Sequence, residues 1–330
     1  MFGGLPLVVN TLITLGSLIV LVGSADYAIS RAILVARRYR VSPLIIGTTL
    51  VAISTSLAEL VVNLAATFSG APTSIVIGNV LGSNMANIGV GLGIAAIITP
   101  LRTATLVIER EFVLYFAVTA LMTGLALSGA VNRYEGGILV VCFVIVLYLI
   151  YQYARRGQAE VPAAVEDEGE TDHVVSPILI VEVVLALVAL VVAAEVLVEA
   201  VSGIARAAGV SDYIIGVTIV GIGTSLPEIA TSIQAARRDQ VDLVLGNVFG
   251  SNVFNICIAL GLPASIRVVP VPASAVRDLY FLNSFGLVVV FILLGEYPFL
   301  GRNKVIGAWG GGLIVAVYVG YLAFKVATGA

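Results

Sequence analysis

The chain has 330 residues, 59% of them hydrophobic and 11% charged, with a formal net charge of -3 and a mean hydropathy of +1.09. A soluble domain carries about 25% charged residues, so these figures exclude a water-soluble protein and describe an integral membrane protein. The small negative charge identifies no macromolecular partner, because five acids (Glu166, Asp167, Glu168, Glu170 and Asp172) stand in one hydrophilic stretch; the lipid bilayer is the expected surroundings, and nothing calls for nucleic acid or an obligate protein partner.

About 20 apolar residues cross a bilayer as a helix. With charged residues, Pro and Gly as breaks, ten spans are predicted at 7–34, 42–68, 73–98, 110–128, 134–153, 177–205, 212–236, 242–264, 278–295 and 305–325. The first follows MFGGLPLVVN, which lacks the basic n-region of a cleaved signal, so this span is expected to be retained. The clear linker is 155–176, with Pro162 and the acid run; it separates a first unit, 1–154, from a second, 177–330. Cys142 and Cys257 fall inside apolar runs and read as small buried side chains, not a disulfide. The single histidine, His173, lies in the acidic stretch, so an ion held within the membrane must be held by oxygen.

The two units repeat each other. At an offset of 169, residues 47–66 match 216–235 at 9 of 20 positions, and at 168 residues 74–93 match 242–261 at 11 of 20. Asp26 and Glu195 also correspond. Such self-similarity marks an internal duplication, and five spans per copy force the copies into opposite orientations. Twelve basic residues then fall on one side (Arg31, Arg37, Arg38, Arg40, Arg102, Arg110, Arg155, Arg156, Arg237, Arg238, Arg302, Lys304) and five on the other (Arg133, Arg206, Arg267, Arg277, Lys325). By the excess of basic residues in cytoplasmic loops, the linker is expected in the cytoplasm and both termini outside. The fold class expected is an all-α membrane protein of ten helices in two inverted five-helix repeats, with a site at the midplane between them.

The chemistry concentrates in the duplicated strings. Glu59 and Glu228 lie deep in apolar runs at equivalent positions, and a charge at the bilayer centre costs at least a few kcal/mol, which makes it a functional candidate. Thr55 and Thr224 stand four residues before the acids, Ser56 and Ser225 three before, so all share the acid's helix face. Ser83 and Asn87 are four apart, as are Ser251 and Asn255. A single Ser or Thr in a membrane helix commonly bonds its own backbone; ten oxygen-bearing side chains on four short faces point instead to a hard cation. Calcium takes six to eight oxygens. Pro227 removes an amide donor and frees the carbonyl of residue 223, while the first copy has Ala58 there and lacks that break. Gly78, Gly82, Gly246 and Gly250 read as points of close helix contact. Asn79, Asn84, Asn247 and Asn252 read as braces of the kinked helix, with coordination as the alternative.

The strings Gly223-Thr224-Ser225-Leu226-Pro227-Glu228 and Gly246-Asn247-Val248-Phe249-Gly250-Ser251-Asn252, with Asn255 beyond, and their counterparts at 54–59 and 78–87, resemble the two alpha-repeats of the cation/calcium antiporter superfamily. The likeness to its prokaryotic sodium/calcium exchangers covers both units, with motifs at 47–93 and 216–261. The resemblance implies that Thr55, Ser56, Glu59, Ser83, Asn87, Thr224, Ser225, Glu228, Ser251 and Asn255 hold cations, joined by the carbonyls of Ala52 and Gly221. It further implies exchange of Ca²⁺ for Na⁺ by alternating access, with the first and sixth spans sliding over the core, and no cofactor. Asn stands at both 87 and 255, whereas some relatives carry Asp at the latter, so the site has two formal negative charges. These balance one Ca²⁺, while three Na⁺ leave one positive charge in excess, which fits electrogenic exchange; protons are the alternative counter-ion. A cation channel is disfavoured because channels build pores from symmetric subunits. An intramembrane hydrolase lacks a nucleophile with a histidine or lysine base, and no phosphate-binding P-loop for a primary pump is present. The acid run 166–172 lacks the spacing of a Ca²⁺-binding loop and reads as a solvated tether.

Overall fold

The computed structural model describes residues 6–39, 41–68, 73–102, 105–157, 178–209, 221–294 and 305–328. In chain order these form α1 (Leu7–Arg38), α2 (Pro43–Phe68), α3 (Ser74–Ile98), α4 (Thr105–Ala126) and α5 (Arg133–Gly157), then α6 (Ile178–Ala207), α7 (Leu226–Arg237, preceded by the single turn Gly221–Gly223), α8 (Val241–Ile266), α9 (Ala273–Leu294) and α10 (Ala308–Thr328). Among the described residues eight of these are long and apolar enough to cross a bilayer; α4 offers a shorter apolar stretch, Phe112–Ala126. The first part of the seventh predicted span and the linker beyond Gly157 lie outside the described residues.

Among the helices whose starts are described, three begin three residues or more from expectation. Helices α4 and α9 begin at Thr105 and Ala273, five residues earlier than predicted, because charged residues near a helix end need not break it. Within α9, Asp278 is buried but accepts from Lys325 Nζ of α10 at 2.6 Å and from the Tyr321 hydroxyl. Helix α10 begins at Ala308, three residues later than predicted, because Val305–Ile306 forms a strand.

Helices α2, α3, α7 and α8 pack together at the centre, and α4, α5, α9 and α10 cover them. Where α2 crosses α8 the backbones touch. A Cβ at Gly47 would stand 2.9 Å from the Leu243 carbonyl oxygen, and one at Gly250 2.7 Å from Thr48 Cα, so only glycine fits at this crossing. A Cβ at Gly78 or Gly82 would meet nothing beyond its own helix within 4 Å among the described residues, and the segment that repeats the 44–48 stretch of α2, 213–217, is outside those residues. Helix α1 lies along α6 at the periphery. Small residues recur on the facing stripe of α1 (Ala25, Ala28, Ala32, Ala36), as in membrane helix pairs that approach closely. Large apolar side chains such as Leu18, Ile19, Leu185 and Val192 point outward, the arrangement expected where the solvent is lipid. Arg31 Nε joins Glu182 Oε2 across this pair at 3.1 Å.

Four two-residue strands were not foreseen. They are β1 (Leu101–Arg102), β2 (Ala130–Val131), β3 (Val269–Pro270) and β4 (Val305–Ile306). Strand β1 pairs antiparallel with β4, and β2 with β3. Each ladder therefore joins a loop of the first unit to a loop of the second.

Candidate ion site

The helices that carry the two glutamates are both interrupted beside them. In α2 Ser56 leaves helical geometry at φ -79°, ψ 3°; ahead of α7, Ser225 does so at φ -90°, ψ 5°. At the second break Pro227 stands in the first turn of α7 with no amide to donate. The first occurs with Ala58 in the equivalent place, so the proline is not required for it. A π-helical segment, Gly47–Val51, precedes that break. Two more interrupt α3 at Asn87–Leu92 and α8 at Asn255–Leu260; single π turns are frequent at functional sites.

The breaks bring the acids together from opposite halves. Glu59 and Glu228 are both buried. Ser56, three residues before Glu59, donates through Oγ to Glu228 Oε1 at 2.8 Å, across 172 residues of chain. Ser83 Oγ stands 3.4 Å from Glu59 Oε1 and 3.4 Å from Thr224 Oγ1, and Thr224 Oγ1 lies 3.5 Å from Asn79 Oδ1. Side chains from α2, α3 and the α7 break thus share one polar centre.

Several oxygens here have no hydrogen-bond partner among the described residues while being fully buried. They are Glu59 Oε2, Glu228 Oε2, Asn87 Oδ1, Asn255 Oδ1, Asn247 Oδ1, Ser225 Oγ and Ser251 Oγ. A buried polar atom without a partner costs about 1–3 kcal/mol, more when charged. Seven such atoms on the central helices and their breaks are sustained only if something else satisfies them, and oxygens with two carboxylates suit a hard cation. No group of three His, Cys, Asp or Glu side chains occurs among the described residues.

Two expected participants are otherwise engaged. Thr55 Oγ1 donates to its own backbone, 3.1 Å from Val51 O and 3.2 Å from Ala52 O. The Ala52 carbonyl also accepts from Ser56 N at 3.0 Å, so both its lone pairs are in use. Gly221 opens the single turn ahead of the second break.

The asparagines brace the helices around this centre. Asn247 Nδ2 donates to Glu228 O at 2.9 Å, Thr231 Oγ1 at 3.0 Å and Ser232 Oγ at 2.9 Å. In the first unit Asn79 Nδ2 donates to Asn63 Oδ1 at 2.9 Å, and Asn63 Nδ2 to Ala259 O of α8 at 2.8 Å. Sequence reasoning passed over Asn63, although it stands four residues after Glu59 and so continues the same face. It also left Asp26 undecided. Asp26 on α1 binds Arg238, just past α7, through three contacts of 2.8, 3.0 and 3.1 Å, whereas its counterpart Glu195 is exposed. Both cysteines are free, Cys257 buried and Cys142 half-buried.

A multi-pass helical protein with paired carboxylates and unpaired oxygens buried between its halves has the build of a membrane ion transporter. The sodium/calcium exchanger protein family matches residues 9–152 and 178–327. The chain is 33% identical over 317 residues to the putative antiporter CaxA of Alkalimonas amylolytica, covering 96% of this chain and 98% of that one. It is 30% identical over 356 residues to the sodium/calcium exchanger MaX1 of Methanosarcina acetivorans, covering 95% and 97%. A solved structure of the sodium-calcium exchanger NCX_Mj, soaked with Na⁺ and Ca²⁺, superposes with a TM-score of 0.80 at 29% identity, covering 96% of this chain and 98% of that one. The chain belongs to the sodium/calcium exchanger family, within the cation/calcium antiporter superfamily.

Proposed function

We propose that this antiporter exchanges Ca²⁺ for Na⁺ across the cell membrane, electrogenically and by alternating access. The convergence of Glu59 and Glu228 within one buried centre carries the reading. Ca²⁺ is held between the two carboxylates, which neutralise it, and Na⁺ competes for the same oxygens with hydroxyls completing smaller shells. The site comprises Glu59 and Glu228 with Ser56, Ser83, Asn87, Ser225, Ser251 and Asn255. Thr55, Thr224 and the Ala52 carbonyl join as their present hydrogen bonds are exchanged for an ion, together with the Gly221 carbonyl. Either load cancels the carboxylate charge and lets apolar helix faces slide past the centre; the empty, charged site resists that movement.

The site lies at the midplane between two inverted five-helix units, 1–154 and 177–330. The matched strings at 47–93 and 216–261 and the reciprocal contacts between halves support this. The one-sided distribution of basic residues supports a cytoplasmic linker, 155–176, and external termini.

Ca²⁺ flux into proteoliposomes, with Na⁺, K⁺ and H⁺ gradients imposed in turn, tests the proposal. An outward Na⁺ gradient should drive uptake and carry net charge. Uptake driven by a pH gradient without sodium would assign the proton as counter-ion. Glu59→Gln and Glu228→Gln should each reduce uptake at least about 100-fold, beyond the 10–100-fold typical of partners one shell further out. Undiminished uptake in either variant removes that glutamate from the mechanism.

A further inference from the structure

Four asparagines form a reciprocal lattice between α3 and α8. Asn84 Nδ2 donates to the backbone carbonyl of Asn252 at 3.2 Å, and Asn252 Nδ2 to that of Asn84 at 3.4 Å. Asn87 Nδ2 donates to Asn252 Oδ1 at 3.0 Å, and Asn255 Nδ2 to Asn84 Oδ1 at 3.2 Å. All four side chains are buried. Each bond has its mirror at an offset of 168 residues.

The lattice has a direction. A carboxamide can turn either its oxygen or its nitrogen towards a neighbour, but a backbone carbonyl only accepts. The Asn84 carbonyl therefore forces Asn252 to present Nδ2 to it, which turns Asn252 Oδ1 towards Asn87. Asn87 must then offer its Nδ2 there, and its Oδ1 is left facing elsewhere, without a partner among the described residues. The same sequence runs from the Asn252 carbonyl through Asn84 to Asn255 Oδ1. A cation accepts only the oxygen end of an amide. Left free, the amides of Asn87 and Asn255 would present nitrogen in part of the population, and ion binding would have to reorient them.

We propose that Asn84 and Asn252 are positioning residues that fix the polarity of Asn255 and Asn87, so that both present oxygen to the ion without either brace touching it. The role rests on the reading of Asn87 and Asn255 as ion ligands. An aspartate at 87 would turn an acceptor towards Asn252 Oδ1, so in this chain the lattice disfavours a carboxylate at that position.

Ca²⁺ affinity of the purified full chain in detergent, read as the Ca²⁺-dependent rise in melting temperature, tests this. Asn87→Ala and Asn252→Ala should each weaken Ca²⁺ binding about 10–100-fold. The double variant should be no weaker than Asn87→Ala alone, because the brace acts through that side chain. The pair Asn255→Ala and Asn84→Ala should behave in the same way. Additive losses, or Asn252→Ala binding Ca²⁺ as the unmodified chain does, overturn the positioning role. Should Asn87→Ala leave affinity unchanged, the ligand reading itself fails. Asn87→Asp, isosteric with the native side chain, keeps the test open if an alanine variant does not fold. Its added charge should bring no gain in Ca²⁺ affinity, and a tenfold tightening would overturn the proposal.

Discussion

The peripheral pair α1 and α6 and the central helices α3 and α8 are built on opposite principles. Of the apolar stretch of α8, 94% is buried, and of α3 72%; for α6 and α1 the figures are 28% and 17%. Yet the polar side chains gather on the buried helices, and the exposed pair is the more uniformly apolar. In water the order would be reversed. Lipid tails offer apolar side chains as much as a protein interior does, so burial is won instead by close backbone approach and by polar groups that need partners. Glycine and asparagine mark the centre, and leucine and valine mark the edge.

The largest expected effect that tests this contrast comes from adding one methyl group at the centre. Gly250→Ala places a Cβ against the Thr48 backbone, and overpacking of this kind costs about 1–3 kcal/mol. A clear drop in melting temperature is expected. The same change at Gly16 on α1, exposed and with nothing within 4 Å among the described residues, should instead stabilise by up to about 1 kcal/mol through helix propensity. Equal responses at the two positions would dissolve the contrast.

Pro227→Ala is smaller. Because Ser56 breaks its helix with Ala58 in the equivalent place, the second break should survive, with a stability change below about 1 kcal/mol and Ca²⁺ transport retained. Loss of transport would show that the two halves break for different reasons. Smallest is Asp26→Asn, which removes the tie between α1 and α7. Both partners are more than a third exposed, so the loss should be about 0.2–1 kcal/mol and shrink as salt is raised. A salt-independent loss of several kcal/mol would make α1 part of the core.

Much of this was legible in the sequence because the relevant signals are periodic. The predicted spans are helical over most of their described residues, the strand Val305–Ile306 and the breaks at Ser56 and Ser225 apart, and the i to i+4 spacing within each duplicated string put Glu59, Ser83 and Thr224 on polar faces of their own helices. What escaped notice depends on partners far along the chain. Asn63 reads as an ordinary polar residue until the Ala259 carbonyl of α8 is placed opposite it. The charged pair Arg277 and Asp278 looked like a helix boundary because Lys325, which satisfies Asp278, lies 47 residues away. The break at Ser56 has no proline to announce it. Thr55 illustrates the remaining ambiguity: its spacing from Glu59 permits an ion-facing hydroxyl, while its own backbone offers a nearer acceptor.

The short ladders β1–β4 and β2–β3 bear on how the protein is made. Leu101 cannot find Ile306 until the ribosome has delivered nearly the whole molecule, nor Ser56 its glutamate until the second half is under way. Contacts this distant are slow to form, so the nascent first half must wait in the bilayer with its polar groups unmet. A chain cut short before Glu228 would leave both an open strand edge at Leu101–Arg102 and the polar centre around Glu59 half built.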